Sequence, residues 1–421
     1  MLSNVSVPLL GAVDTAVVGR LPEPQHLGGV AIGAVIFSVV FWVFGFLRMG
    51  TTGPTAQALG SGDGEEVRAT LGRAALTAMV LGLAVIAVQA PLAWIVFPLL
   101  GASGEVAELG RAYFDIRVWG APATLMNYAL LGWLLGMQDA RSALVLQLAL
   151  NVSNMLLDIL FVMGFGWGVE GVAVASVLAE LGAVGIGLLL VRRKLRLNAG
   201  VWRRERVFDG GRIRRMFAIN GDIFVRTLCL QAAFFLFTAE SAKLGDLVLA
   251  ANAVLLHLQQ FMACGLDGFA HATEALTGHA IGARDRRQFT GAVRAATAWA
   301  VPFAAAFAVV YALFGPFLVG LMTTIPEVRV TAADFLPWLI ASPLISVWSF
   351  LLDGIFLGAT RTADMRNNML LSLALYAAAL FGLIGVWGAH GLWAALLVLM
   401  VLRAATLGLR LPVLLRTTVT A

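Results

Sequence analysis

Apolar runs of about 20 residues, each long enough to cross a hydrocarbon layer as a helix, follow one another along almost the whole chain and decide what it can fold into. They fall near 2–19, 28–47, 69–98, 112–135, 142–163 and 168–191, and again near 216–238, 247–276, 290–321, 330–357, 368–384 and 390–412. The pattern predicts twelve spans, and in a chain of 421 residues it leaves almost nothing for a water-soluble domain. Only 13% of the residues are charged, against about 25% in soluble domains. The same runs exclude a transmembrane barrel, whose strands are about ten residues of alternating polarity. Cys229 and Cys264 both lie in apolar runs and suggest no disulfide framework.

The first run opens almost at Met1, carries Asn4, Pro8 and Asp14, and has no basic leader, so it is read as a span and not as a cleaved signal peptide. Orientation follows from the positive-inside rule. Of the 29 Lys and Arg residues, 22 fall in connections on one side and four (Arg20, Arg111, Lys243 and Arg329) on the other; Arg48, Arg117 and Arg226 lie within spans or at their rims. Both termini are therefore expected in the cytoplasm, in the inner membrane of the cell. Ten basic residues between Arg192 and Arg215 separate the sixth and seventh runs. At that position they form a basic cytoplasmic linker against anionic lipid, not a nucleic-acid patch. The expected division is a six-helix lobe over 1–191, the linker over 192–215 and a second six-helix lobe over 216–421.

Two lobes follow from an internal duplication. Ala-Gln-Ala-Leu-Gly-Ser-Gly-Asp at 56–63 meets Gly-His-Ala-Ile-Gly-Ala-Arg-Asp at 278–285, and Leu-Gly-Met at 135–137 meets Leu-Gly-Ala at 357–359, both at an offset of 222. Trp-Gly-Val-Glu-Gly at 167–171 meets Trp-Gly-Ala-His-Gly at 387–391, at an offset of 220. Six spans per half is an even number, so both halves enter the membrane in the same sense, the parallel repeat of a transporter built from two lobes. The second match also disposes of Gly166-x-Gly168-x-x-Gly171 as a dinucleotide fingerprint: no strand precedes it, and its recurrence marks a tight turn between helices.

An ionisable side chain near the middle of a span costs about 2.5–3.5 kcal/mol on insertion scales, which makes each one a functional candidate. Asp14 has no charged neighbour in its run before Arg20. A carboxyl buried without a cation is favoured in its protonated form, as a proton-coupling group requires. Asn151, Asn154 and Asp158 share one face of the fifth span. That stripe is expected to face the interior of the first lobe, with Tyr113, Asn127, Ser176 and Glu180 completing a pocket. In the second half Asp267, His271 and Glu274 share a face, and Asp267, Glu274 and Asp353 form a possible cation site. No second cluster completes a metal-ligand set, so no bound metal is expected. Asp222 and Arg226 are spaced for an i,i+4 ion pair.

Pro-Leu-Leu-Gly-Ala-Val-Asp-Thr-Ala-Val-Val-Gly at 8–19, Phe-Leu-Arg-Met-Gly-Thr-Thr-Gly at 46–53 and Gly-Leu-Asp-Gly-Phe-Ala-His-Ala-Thr-Glu-Ala at 265–275 resemble the multidrug and toxic compound extrusion (MATE) transporters. Within them the chain is most similar to the DNA-damage-inducible protein F (DinF) branch. The resemblance implies an all-α integral membrane fold of twelve helices in two six-helix lobes. It implies alternating access, with organic compounds exported in exchange for inward H⁺ or Na⁺. It assigns Asp14 to proton coupling and substrate release, and Asn154 and Asp158 to the same lobe pocket. Gly221 stands where Arg often precedes the equivalent of Asp222.

The expected function is a proton-driven antiporter, not an enzyme, that exports amphipathic, cationic organic molecules. It needs no cofactor, and its partners are small organic substrates and the lipid bilayer, with no nucleic acid and no second subunit. Asp14 and Asp158 carry the proton, and Tyr113, Asn151, Asn154, Ser176 and Glu180 form the pocket. Three alternatives rank below it: Na⁺ coupling on the same fold, a flippase for lipid-linked saccharides, which would need a cationic cavity, and an intramembrane metal hydrolase built on Asp267, His271 and Glu274.

Overall fold

A computed structural model of the chain describes residues 24–100 and 104–418. The described residues are helical with short turns and contain no strand. The first half comprises α1 (Pro24–Val43), α2 (Phe46–Gly60), α3 (Gly64–Ala87), α4 (Gln89–Leu100), α5 (Gly104–Arg117), α6 (Ala121–Gly136), α7 (Ala140–Asp158), α8 (Gly168–Arg196) and the short α9 (Arg204–Val207). The second comprises α10 (Gly210–Lys243), α11 (Asp246–Gly282), α12 (Arg286–Met322), α13 (Pro326–Gly358), α14 (Thr362–Trp387) and α15 (Ala389–Thr418).

Ten stretches among the described residues are long and apolar enough to cross a membrane. An eleventh pass, over 104–136, is broken by a 3₁₀ turn at Val118–Gly120. It begins eight residues before the apolar run at 112–135, because its first turns are polar: Glu105, Glu108 and Arg111 hide them from a hydropathy reading. The span expected over 2–19, with Asp14, lies outside the described residues.

The chain divides into two compact units, with the boundary between Met216 and Phe217. Each shows the same internal joints, 222 residues apart. In the first unit a Cβ on Gly132 would stand 2.4 Å from the carbonyl oxygen of Arg48, and one on Gly136 2.6 Å from that of Thr52. In the second, a Cβ on Gly354 would stand 2.4 Å from the carbonyl oxygen of Ala270, and one on Gly358 2.4 Å from that of Glu274. Only glycine lets these backbones come so close, the device by which small residues seat helix on helix in a membrane. The turns repeat too. Gly62 and Arg284 have φ of 70° and 54°, Gln138 and Thr360 have 56° and 55°, and Asp63 and Asp285 cap the following helices by accepting from the Glu66 and Gln288 amides, each at 3.0 Å. The Trp-Gly-x-x-Gly segments are tight turns, with Gly168 and Gly388 at φ of 62° and 56°.

The halves differ at several places in the helical framework, one of them beside Asp158. Directly after Asp158 the fifth pass widens into a π-helical turn, Ile159–Gly164, whereas α14 runs through the corresponding stretch as continuous α-helix. This is where the repeat offset falls from 222 to 220, so the wider turn takes up extra residues of the first half.

The basic stretch after α8 is bound to the first unit. Arg68 of α3 donates to four carbonyls, those of Gly64, Leu195, Asn198 and Ala199, at 2.8–3.0 Å. Arg203 pairs with Glu65 at 2.8 Å, Arg206 with Asp63 at 2.6 Å, and Arg212 with Glu66.

Candidate functional site

A cavity of about 430 Å³ opens inside the first unit among α1, α5, α6, α7 and α8. Its wall brings together Tyr113, Asn127, Asn151, Asn154, Ser176 and Glu180, residues that lie on four different helices. Along α7 the spacing of Gln147, Asn151 and Asn154 sets one polar edge against the cavity, with Asp158 on the same helical face. Gln147 Nε2 donates to Asn151 Oδ1 at 3.3 Å, and Asn154 Nδ2 donates to Asp158 Oδ2 at 3.0 Å. Asp158 is fully buried behind this edge, one turn from Asn154, immediately before the π-helical turn. Asp14 lies outside the described residues.

The opposite wall holds a charge pair that the spacing of residues does not reveal. Arg117, at the end of α5, forms a two-pronged bond with Glu180 of α8, at 2.8 Å and 2.5 Å. Its guanidinium also lies 5.5 Å from the centre of the Phe37 ring and 5.1 Å from that of Phe41, a cation–π seat. Asn127 Nδ2 donates to the backbone oxygen of Glu180 at 3.0 Å, which ties α6 to the same point. Arg117 was legible only as a cation at a span rim. The signal that would have found it is the cost of an unpaired guanidinium inside a span, which demands an acidic partner from another helix.

In the second unit the acidic residues are held differently. Asp353 of α13 accepts from Arg226 of α10 and, at 2.7 Å, from Arg403 of α15. A cation at Asp353 would therefore have to displace a guanidinium. Asp267 lies within electrostatic range of Arg403, while Glu274 is fully buried further along α11. The space beside Arg226, Asp353 and Arg403 amounts to about 10 Å³. The i,i+4 pair expected between Asp222 and Arg226 does not form. Asp222 instead takes Arg366 at 2.6 Å and the Thr362 hydroxyl at 2.9 Å, both on α14, because Arg226 is drawn to Asp353 on α13 and packed neighbouring helices supply both residues with other partners. Among the described residues no three His, Cys, Asp or Glu side chains are grouped to hold a metal ion.

The MatE family profile matches residues 1–186 and 223–383. The chain belongs to the MATE family. DNA damage-inducible protein F of Escherichia coli strain K12 is 42% identical over 97% of this chain and 88% of its own length. The probable multidrug resistance protein NorM of Rhizobium meliloti strain 1021 is 27% identical, over 82% of this chain and 75% of its own. In fold, the chain matches a crystal structure of a Vibrio cholerae MATE transporter, VcmN, with a TM-score of 0.86 at 20% identity, over 99% of this chain and 94% of that one. It is thus a DinF-like, multi-pass membrane transporter of small compounds with the twelve-helix, two-lobe MATE fold. Members of this family are transporters and not enzymes.

Proposed function

We propose that this MATE protein is a proton-driven antiporter that exports amphipathic, cationic organic compounds by alternating access. The observation that carries the reading is the first-unit cavity: aromatic faces and neutral amides around a space of about 430 Å³, with the buried Asp158 joined to its edge through Asn154. A lipophilic cation finds there what it needs, ring faces of the kind Arg117 already occupies and amide oxygens on Asn127, Asn151 and Asn154. The names of relatives, a multidrug resistance protein among them, agree with an efflux role.

Asp14 and Asp158 are the coupling groups in this reading. Protonation removes the negative charge that favours a cation nearby and replaces an acceptor oxygen with an O–H donor, so Asn154 must change its bond to Asp158. Release of substrate and uptake of the proton are then two sides of one linkage: if protonation weakens substrate binding by some factor, bound substrate lowers proton affinity by the same factor. The Lys and Arg bias supports a cytoplasmic side for both termini and the 192–215 linker, and in this reading the exported compound leaves outward through the inner membrane. A single chain carries the whole path.

The test is transport of a fluorescent cationic dye by protein reconstituted in liposomes, first under a pH gradient and then under a Na⁺ gradient. Dye movement driven by the pH gradient and lost in Asp14→Asn supports the proposal. Movement driven only by Na⁺ reassigns the coupling ion, and normal proton-coupled movement in Asp14→Asn removes Asp14 from the mechanism.

A further inference from the structure

The basic residues around α8 and the linker are not all alike, and Lys194 is paired with Asp139. Arg203, Arg206 and Arg212 are paired with the acidic residues that open α3. Arg192 and Arg196 are not. They stand one helical turn apart at the end of α8, both exposed, and neither has an ion-pair or hydrogen-bond partner among the described residues.

Beside this unmatched pair runs a groove of about 890 Å³, bounded by α3, α6, α8 and residues 198–202, with both arginines on its rim. Its walls are apolar, formed by Leu71, Met126, Leu130, Leu188 and Val191. Trp202, 55% exposed, stands at its edge. Arg68, the remaining basic residue on the wall, is spent on backbone carbonyls.

An apolar groove of this size, open at the surface of a membrane protein, marks an interaction site for an apolar partner. Its two ends state different requirements: hydrocarbon along the walls, and an anion at the rim, where two guanidiniums one turn apart can share one phosphate through charge-assisted bonds. A free phosphate would leave the walls uncovered, and an organic cation would be repelled at the rim. An indole at the mouth is the usual marker of headgroup level. We propose that the groove between α3, α6 and α8 is a binding site for an anionic phospholipid of the cytoplasmic leaflet, with acyl chain against the walls and phosphate on Arg192 and Arg196. The assignment to that leaflet rests on the orientation proposed above; the lipid's chemistry does not. A bound lipid would brace α8 against α3 at the point where the linker leaves α8.

The test is native mass spectrometry of the full chain, delipidated in neutral detergent and then given phosphatidylglycerol or phosphatidylcholine. Retention of phosphatidylglycerol over phosphatidylcholine is expected. It should fall about thirty-fold in Arg192→Gln/Arg196→Gln, the factor that two interfacial arginines ordinarily supply. Both side chains are exposed, so the thermal midpoint of this variant in detergent should be unchanged. Ala75→Phe, which narrows the groove without touching a charge, should lower retention of both lipids. Equal retention of the two lipids, undiminished phosphatidylglycerol in the arginine variant, or displacement of the lipid by inorganic phosphate would each overturn the proposal. No arm depends on transport, so failure of the antiporter reading leaves this result standing, and the reverse.

Discussion

The two units share a skeleton and differ in what they enclose. The glycine contacts at Gly132 and Gly354, the positive-φ turns at Gln138 and Thr360, and the Asp63 and Asp285 caps recur residue for residue. The polar lining does not. At the repeat positions of Asn151, Asn154 and Asp158 the second unit has Leu373, Tyr376 and Leu380, and at those of Arg117 and Glu180 it has Leu339 and Met400. Leu339, Tyr376, Leu380 and Met400 are buried in the second unit's apolar core. The first unit has a cavity where the second has packing. The second unit's charges collect elsewhere, around Asp353, in a cluster with almost no free space. A duplicated scaffold has thus kept its joints while its two interiors diverged: a cavity with a buried carboxyl beside it in one, an arginine-clamped carboxylate in the other.

The sharpest way to break that contrast is to remove each unit's central carboxylate. Asp158→Asn should reduce dye transport driven by a pH gradient to the background of empty liposomes, with folding retained. Neutral asparagine keeps the shape and the partnership with Asn154 but cannot exchange a proton. Asp353→Ala should act on stability instead. Removing the anion leaves Arg226 and Arg403 facing each other inside the protein, a loss of about 3–5 kcal/mol, read as a lowered unfolding midpoint in detergent. If Asp353→Ala leaves stability untouched and abolishes transport, the division of labour between the units is wrong.

Glu180→Gln probes the chamber's own charge balance. It frees the Arg117 guanidinium to act on any cation in the cavity. At an effective dielectric near 20 and a separation of about 6–8 Å, such a charge is worth roughly 2–3 kcal/mol against cation binding. Dye affinity, measured by fluorescence polarisation on purified protein, should therefore fall by about 30- to 100-fold. The double variant Arg117→Gln/Glu180→Gln restores neutrality and should recover most of the loss. An unchanged affinity in the single variant would place the dye outside this cavity.

How much of this was legible in the sequence depended on the distance over which the signal is carried. Helical spacing put Asn151, Asn154 and Asp158 on one face; Asn151 and Asn154 line the same cavity as Tyr113, Ser176 and Glu180, while Asp158 is buried one turn beyond Asn154. The duplication was legible for the same reason, since its joints are short motifs of glycines and turn residues. Charge partners were not. Arg117 and Glu180 are 63 residues apart, and Arg366 and Asp222 are 144 apart. Which guanidinium meets which carboxylate is set by the register of one packed helix against another, and an i,i+4 spacing such as that of Asp222 and Arg226 offers a local pairing that tertiary contacts override. The division of the 192–215 arginines into paired and unpaired sets depends likewise on where α3 begins in space.

A smaller effect tests whether the shared skeleton is as equivalent as it looks. Gly132→Ala and Gly354→Ala each push a methyl group to within 2.4 Å of a carbonyl oxygen on the facing helix. Both should destabilise by about 1–3 kcal/mol, the usual cost of overpacking, and by similar amounts. A large difference in the two unfolding midpoints would show that one unit yields where the other cannot.

The smallest expected effect concerns a joint where the repeat departs from itself. Asp139 caps α7 by accepting from the Ser142 amide at 3.1 Å, and its carboxylate lies 3.3 Å from the Lys194 ammonium. Its repeat partner, Arg361, precedes α14 without any side-chain cap. Burial pushes the Asp139 carboxyl up, but the Ser142 hydrogen bonds and the Lys194 charge outweigh it and hold the group below the ordinary carboxylate value. A carboxyl with a depressed folded-state pKa contributes stability that is complete above its unfolded value, near 3.9, and is lost as pH falls through the folded one. Asp139→Ala should therefore cost about 1 kcal/mol at neutral pH, the usual worth of an N-cap. The gap between it and the parent protein should close below about pH 4. Hydrogen exchange at the first turn of α7, followed across that range, reads the effect locally. The same acid-dependent step should be missing from the first turn of α7 in Asp139→Ala; a step that persists in that variant would mean that acid acts on the whole scaffold and not on the Asp139 cap.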